Sequence, residues 1–171
     1  MTAINEGYER TSLFQSGLGA GGPCLSKDPP VLAGSAIALG IETPVVTASI
    51  GSNIEATLRI ATVVETYIRQ SGIVNPHIAL IGLAFKGVPE TDDASGSPAS
   101  IIHRRLIESC PEASFAYHDP LIASFLGAEV SKSLTETLQG SDVALFLTNH
   151  VTLQGIPSSL IEAANPKADM L

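Results

Sequence analysis

The chain has 171 residues, a formal net charge of −8 and only 5% aromatic residues. An acidic chain with few aromatic side chains lacks the basic stripe and the stacking surface that nucleic acids require, so we expect no nucleic-acid partner. Its first ten residues are polar and unlike a signal peptide, and no apolar run reaches the roughly 20 residues of a membrane span, so we expect a cytoplasmic protein without a membrane partner.

The first part of the chain is predicted to be helical. A Gly-rich loop over residues 11–28 leads into a helix over residues 29–39, for which Asp28 is the expected N-cap. A second helix opens at Thr43-Pro44 and extends to about residue 70, with apolar residues at helical spacing: Val46, Ile50, Ile54, Leu58, Ala61 and Ile68. At about 40 Å, a helix of this length is typical of one that braces two domains or two subunits.

From Pro76 onward the pattern changes to strands alternating with helices. Residues 77–85 form a continuous apolar run, as expected for a buried parallel strand. The later predicted elements are, in chain order, a helix over 98–109, a strand over 114–118, a short helix near 121–125, a strand near 129–130, a helix over 134–138, a strand over 143–148, a helix over 158–164 and a last strand from Ala168. This alternation predicts an α/β fold with a parallel sheet. We expect the last strand to be cut short at Leu171.

Residues 17–22 match the pattern GxGxxG. A dinucleotide-binding loop needs a strand before it and a helix starting inside it, whereas Gln15-Ser16 precede and Pro23-Cys24 follow. The residues themselves leave three interpretations open: a dinucleotide loop, a flexible loop, and a loop whose backbone N–H groups face another anionic ligand.

Cys24 lies three residues before Lys27 and shortly before a predicted helix N-terminus. A nearby cation and a helix N-terminus both activate a cysteine as a nucleophile, although a buried, inert cysteine is the commoner case, and both interpretations stay open. Cys110 has no cation beside it and is interpreted as structural. The two cysteines form no CxxC motif, so we expect neither a metal site nor a disulfide.

Other polar residues occur where predicted strands end. Lys86 directly follows the first strand, and ligands of open α/β sheets bind beyond the carboxyl ends of strands. Asp119, before Pro120, could bond a ligand hydroxyl or simply form a turn. The histidines have no Cys, Asp or Glu at a telling spacing, and we interpret them as surface or strand-end residues: His77, His103, His118 and His150.

Two blocks of sequence resemble the UDP-glucose/GDP-mannose dehydrogenase family. Residues 17–29, Gly-x-Gly-x-Gly-Gly-Pro-Cys-Leu-Ser-Lys-Asp-Pro, resemble its catalytic cysteine motif. Residues 81–86, Ile-Gly-Leu-Ala-Phe-Lys, followed by Thr91-Asp-Asp93 and Ser97-Pro98, resemble the opening of its C-terminal nucleotide-sugar domain. Asn53, in the long helix between the blocks, and Arg10, fourteen residues before Cys24, also agree with the family.

The resemblance implies an enzyme that uses NAD to oxidise the C6 alcohol of a UDP- or GDP-sugar to a uronic acid. Cys24 would form the thiohemiacetal and thioester intermediates, and Asp28 would help to position the water. The implied substrate-binding residues are Arg10, Gly17, Gly19, Gly21, Phe85 and Lys86, and Lys27 would lie near NAD. The long helix over 44–70 would form a homodimer.

The resemblance also implies a division of the chain. Residues 1–75 would form the central helical, dimerising segment with the cysteine loop, and residues 76–171 a truncated, Rossmann-like UDP-sugar-binding domain. The family's N-terminal NAD-binding domain would be absent. Ser95 stands where the family has an Arg that contacts NAD, which argues further against cofactor binding. The alternative is a non-catalytic, dimerising nucleotide-sugar-binding module or a truncated remnant.

Overall fold

A computed structural model describes residue 6, residues 17–159 and residue 162 of the chain. Arg10, the last predicted strand and most of the predicted helix over 158–164 lie outside the described residues. The helices are α1 (Pro23–Ala38), α2 (Pro44–Ser71), α3 (Pro98–Ser109) and α4 (Leu134–Leu138), with a 3₁₀ turn at Val151–Leu153. The strands are β1 (His77–Ile81), β2 (Ser114–His118), β3 (Ser124–Phe125), β4 (Ala128–Glu129) and β5 (Val143–Phe146).

The main sheet has three parallel strands in the order β2–β1–β5. Successive side chains of β1 face opposite sides of the sheet. Ile78 and Leu80 pack in the larger core with buried residues of α2 and α3, whereas Ala79 and Ile81 pack on Leu138 of α4. Helices therefore cover both faces, which confirms the predicted α/β fold with a parallel sheet.

The long second helix is confirmed at residues 44–71. Pro44 occupies its first turn, and Gly72 ends it with a left-handed φ of 65°. Its buried residues lie from its middle toward its C-terminal end: Thr57, Ala61, Val64 and Ile68. There it packs on α3, and Arg105 Nε contacts Glu65 Oε1 at 2.8 Å. The apolar stripe predicted for this helix is thus covered within the chain only toward its C-terminal end.

The helix predicted from Pro29 begins six residues earlier, at Pro23, so the expected N-cap role of Asp28 is wrong. Gly22 is the N-cap, and Ser26 N donates to Gly22 O at 3.2 Å as the first helical bond. Pro29 and Pro30 lie inside the helix. The prediction treated them as first-turn prolines, but Pro23 fills that position and the helix tolerates the two missing N–H groups.

The short helix predicted near residues 121–125 is also wrong. Residues 124–125 instead form β3, which pairs antiparallel with β4 outside the main sheet. Leu126 and Gly127 connect the two strands with φ values of 50° and 86°. A two-residue connection with two positive φ values matches the twist of a hairpin, which explains why these residues do not continue as a helix.

Candidate functional site

The chain order places a crevice at the carboxyl end of β1. From β1 the chain passes to β2 on one side of the sheet and later to β5 on the other. Ligands of open α/β sheets bind at such a switch point. The segments that surround it are the β1–α3 loop, residues 82–97, and the turn after β5, residues 147–150.

The end of the Gly-rich loop is seated on the β1–α3 loop. Gly22 N donates to Ser95 O at 3.0 Å. A Cβ atom at Gly21 would lie 2.6 Å from Gly96 O, and one at Gly22 would lie 2.8 Å from the Phe85 ring. No side chain fits in these gaps, so the packing of the two loops on each other is enough to explain why both positions are glycine.

The start of the same loop is held by α2. Asn53 Oδ1 accepts from Ala20 N at 2.7 Å, and Asn53 Nδ2 donates to Ala20 O at 2.9 Å. Thr57 Oγ1 donates to Leu18 O at 2.8 Å, and a Cβ atom at Gly19 would collide with that hydroxyl. Gly17, in contrast, has open space around its Cα. The long helix therefore holds the Gly-rich loop as well as bracing the fold.

Cys24 lies in the first turn of α1 as an exposed free thiol. Lys27 and Asp28 follow it by three and four residues in the same helix, and residues at these spacings share a helix face. Lys27 Nζ and Asp28 Oδ1 are 3.3 Å apart on well exposed side chains. The earlier helix start thus brings the three predicted residues to one face, where the sequence had placed them in a loop.

Phe85 and Lys86 follow β1 by four and five residues, because the strand ends at Ile81 and not at Phe85 as predicted. Phe85 is half-buried against Gly22, and its N–H donates to Asp93 O at 3.0 Å. Lys86 is exposed, with Nζ 5.3 Å from the centroid of the Phe85 ring. This places an exposed cation beside the seated Gly-rich loop.

An open hollow of about 850 Å³ lies elsewhere, between the end of β2, the β3–β4 hairpin and α4. It is lined by residues 119–123, residues 129–132 and Glu136. Of the residues for which the sequence offered a ligand contact, only Asp119 belongs to this lining. Both oxygens of its buried carboxylate, Asp119, accept backbone N–H groups of the protein. We therefore place the candidate site at the Gly-rich loop and not in this hollow.

Comparison with protein families gives a match over residues 79–169 to the UDP-binding domain of the UDP-glucose/GDP-mannose dehydrogenase family. The matched segment contains the sheet, the β1–α3 loop and the turn after β5. The chain belongs to the UDP-glucose/GDP-mannose dehydrogenase family.

Relatives within this family extend well beyond the chain. A UDP-N-acetyl-D-mannosamine dehydrogenase of Methanococcus aeolicus is 26% identical over 143 residues, which are 84% of this chain and 30% of that protein. A UDP-N-acetyl-D-mannosamine dehydrogenase of Methanococcus maripaludis is 26% identical over 94% of this chain and 35% of that protein. The chain thus spans about a third of the length of these curated relatives.

A solved structure agrees on the fold. The NDP-N-acetyl-D-galactosaminuronic acid dehydrogenase of Methanosarcina mazei Go1 superimposes with a TM-score of 0.79 at 22% identity. The likeness covers 98% of this chain and 37% of that chain. The superposed region includes the helical segment as well as the α/β domain, so both parts have counterparts in that structure.

The described residues do not fit NAD, the cofactor that the family generally uses. Thr57 packs against Gly19, and Gly96 and Phe85 pack against Gly21 and Gly22. Protein atoms therefore already occupy the space beside these glycines that a dinucleotide phosphate would need. Ser95, where the resemblance implies an Arg, offers no cation, and its N–H donates to Asp93 Oδ1 at 2.7 Å. Hydrogen bonds from Ser95 hold the pKa of Asp93 below its usual value.

Two further absences concern the described part of the chain. Among residues 17–159 no three His, Cys, Asp or Glu side chains are grouped so that they could hold a metal ion. No helix in that range is both long and apolar enough to cross a membrane.

Sequence reasoning missed the polar contacts behind the site. It named Asn53 only by resemblance and did not name Thr57. It interpreted His103 and His150 as surface or strand-end residues, whereas both are buried, and His150 Nε2 lies 3.2 Å from Asp119 Oδ2. The positions of Asp119 and His150 just after parallel strands could have indicated that they meet at one edge of the sheet.

Proposed function

We propose that this chain is the sugar-nucleotide-binding and thiol-bearing part of a dehydrogenase that oxidises the C6 alcohol of a UDP- or GDP-linked sugar to a uronic acid. One observation carries the proposal: the Cys24 helix is seated on the loop that follows β1 in a UDP-binding domain, through Gly22 N and Ser95 O at 3.0 Å. Because both segments meet at the switch point of the sheet, one sugar nucleotide can contact both.

The proposed ligand contacts divide by chemistry. The Lys86 ammonium is an exposed cation on an acidic chain and suits the diphosphate. The Phe85 ring lies beside it. Gly17 has open space around it and can approach the ligand with its backbone, whereas Gly19 and Gly21 act by seating the loop. Arg10, outside the described residues, is proposed to reach the sugar.

Two steps of the oxidation need no cofactor, and we assign them to this chain. After the alcohol has become an aldehyde, Cys24 Sγ bonds to the aldehyde carbon and a proton ends on its oxygen, giving a thiohemiacetal. Once that carbon has lost a hydride and the hydroxyl its proton, the product is a thioester. Water then attacks the thioester carbon, the C–S bond breaks, and the carboxylate and the Cys24 thiol are released. Asp28, four residues after Cys24, is the residue that we propose holds this water.

Both oxidations that flank these steps require a hydride acceptor. Family members use NAD for this purpose, and the described residues offer it no site. We therefore assign the hydride-transfer steps to residues outside those described. The helical segment over 1–75 and the α/β domain over 76–171 would thus supply the substrate half of the active site.

Calorimetric titration tests the binding half of this proposal. The chain is titrated with UDP, UDP-glucose, UDP-N-acetylmannosamine, GDP-mannose and NAD. We expect one UDP- or GDP-sugar to bind and NAD to give no heat. Lys86→Ala should weaken that binding about tenfold by removing a charge-assisted contact, whereas Lys132→Ala, at a lysine that lines the hollow, should not. Silence from UDP and every sugar nucleotide would refute the proposal.

A second candidate function is a nucleotide-sugar-binding module without chemistry. Ser95, in place of the family Arg, favours it. Alkylation of the two free thiols separates the candidates, with Cys110 as the internal control. If Cys24 lies at the sugar, a bound UDP-sugar should slow the reaction of Cys24 with iodoacetamide more than UDP does and leave Cys110 unaffected. Equal labelling of Cys24 with and without bound sugar nucleotide would support the binding module.

A further inference from the structure

Behind the Phe85–Lys86 segment lies a polar cluster of two buried residues, Asp119 and His150, and the partly exposed Glu90. His150 is fully buried, with Nε2 3.2 Å from Asp119 Oδ2 and Nδ1 3.5 Å from Glu90 Oε1. Its Nδ1 has no hydrogen-bond partner among the described residues, and the Glu90 carboxylate lies beside it. Glu90 belongs to the loop after β1, Asp119 follows β2 and His150 follows β5. The cluster therefore joins the carboxyl ends of all three parallel strands.

Asp119 fixes the backbone on the N-terminal side of Phe85. Its Oδ2 accepts from Leu83 N at 2.7 Å and from Ala84 N at 3.2 Å. Its Oδ1 accepts from Leu121 N at 2.9 Å and Ile122 N at 3.1 Å. A carboxylate buried to this degree needs every donor around it, and His150 is the one side-chain donor in its described set of partners.

The turn after β5 braces the same segment on both sides. Thr148 Oγ1 lies 3.0 Å from Gly82 O and 2.7 Å from Ala84 O, ahead of Phe85. After Lys86, a Cβ atom at Gly87 would collide with His150 N. Further along, Glu90 Oε1 accepts from Val151 N at 3.1 Å. The long, exposed Lys86 side chain thus extends from a backbone that is held before and after it.

We propose that His150 is a positioning residue, held between Asp119 and Glu90, that sets the backbone of Phe85 and Lys86 for the phosphates of the sugar nucleotide. The inference rests on the proposed function, because it assigns the cluster to the same site. An apolar residue would fill the volume of His150 but would leave the Asp119 carboxylate without its side-chain donor, while Glu90 would still hold the turn after β5 through Val151 N. The backbone that carries Lys86 would then sample more than one position, and binding would weaken.

The test uses four variants of the whole chain. His150→Leu removes both ring nitrogens, and His150→Gln keeps one N–H donor toward Asp119. Glu90→Ala releases the other side of the ring at a partly exposed side chain, so it keeps the test available if His150→Leu does not fold. His77→Leu is the matched control, because His77 bonds Ser114 at 2.9 Å at the opposite end of β1. Each variant is titrated with UDP, and hydrogen–deuterium exchange is followed along the chain.

We expect His150→Leu to speed exchange over residues 83–90 and to weaken UDP binding about tenfold, with Glu90→Ala weaker in effect. His150→Gln should restore most of the affinity, and His77→Leu should match the wild-type chain. Exchange that rises equally in α2 and the sheet, or an unchanged UDP affinity beside faster local exchange, would overturn the positioning role. A wild-type chain that binds neither UDP nor any of the sugar nucleotides would overturn the proposed function instead. Unchanged exchange over residues 83–90 in His150→Leu would by itself overturn the positioning role of His150.

Discussion

At the scale of single residues, the glycines of residues 17–22 differ in how much space a side chain would find at each position. Gly21→Ala places a Cβ atom 2.6 Å from the backbone oxygen of Gly96 and 3.1 Å from Phe85 Cβ. The backbone of Gly96 cannot move aside as the end of a flexible side chain can, so the Gly-rich loop must move away from the β1–α3 loop. We expect Gly21→Ala to lower the free energy of unfolding by about 1–3 kcal/mol, as measured by urea denaturation.

Gly34→Ala is the matched control for that substitution. Gly34 lies exposed inside α1, and a Cβ atom added there would have no other atom within 4 Å. Alanine is the better helix former, so this variant should raise the free energy of unfolding by about 0.5–1 kcal/mol. Equal effects of the two substitutions would contradict the seating of the loop on residues 85–96.

The residue scale is also where sequence reasoning reached least far. Cys24, Lys86 and the glycines could be named because the motif places them at fixed spacings. The pairing of Asn53 with Ala20, across 33 residues, depends on how α2 crosses the loop, and no local pattern contains that crossing. The contact of His150 with Asp119 depends in the same way on the strand order β2–β1–β5.

At the scale of elements, Asn53 joins α2 to Ala20 of the Gly-rich loop by two hydrogen bonds, and Thr57 adds one to Leu18. Asn53→Ala removes both, and we expect the Ala20 amide to exchange with solvent about tenfold faster in an NMR experiment. Asn53→Asp keeps the Oδ acceptor for Ala20 N and should preserve most of the protection. Ser52→Ala, at the exposed neighbouring position, should leave it unchanged. Protection of Ala20 in Asn53→Ala equal to wild type would refute this clamp.

Between α3 and β2, His103 makes a buried contact whose stability depends on pH. Its ring packs edge-on against Phe115 at 4.7 Å, and its Nε2 lies 2.8 Å from Tyr117 Oη. Burial lowers the pKa of His103 from its ordinary 6.5. As the pH falls, His103 is therefore protonated in the unfolded chain before it is protonated in the folded chain. Its contribution to the free energy of unfolding is full above about pH 6.5 and declines below that pH.

His103→Gln removes that one titration. All other groups titrate in both proteins, so the difference between their free energies of unfolding isolates His103. We expect the wild-type chain to lose more stability than the variant between about pH 7.5 and pH 5 in urea denaturation. A difference that is independent of pH, or that grows on acidification, would contradict the burial effect.

Local patterns succeed for elements whose signals do not compete. The apolar stripe and the Pro-to-Gly limits of α2 predicted that helix, and the apolar run of residues 77–85 predicted β1. The start of α1 and the strand β3 were predicted wrongly. In α1 three prolines compete for one first-turn position, and in the hairpin Leu126 adopts a positive φ that its side chain does not favour.

At the scale of the whole molecule, the two ends of the helical segment are unlike. The second half of α2 is buried on the α/β domain, whereas α1 buries only Ala33. Large apolar side chains stay exposed on α1, the connection and the first half of α2: Leu25, Val31, Leu32, Ile37, Leu39, Ile41, Val45 and Ile54. Soluble proteins seldom leave so many large apolar side chains exposed in one segment of the chain, which indicates an interaction site.

We propose that a second copy of the chain covers this surface. A self-complementary face of a helix pair buries the same apolar residues twice in a two-fold dimer. Sedimentation velocity should therefore give twice the 17.7 kDa mass of the chain. Ile54→Asp, on the uncovered part of the α2 stripe, should shift the chain to the monomer by burying an unpaired charge at the interface. Val74→Asp, 81% exposed in the connection after α2, should remain dimeric.

A wild-type chain that sediments as a monomer would show that copies of this chain do not cover the surface, and a dimer unaffected by Ile54→Asp would place the interface elsewhere.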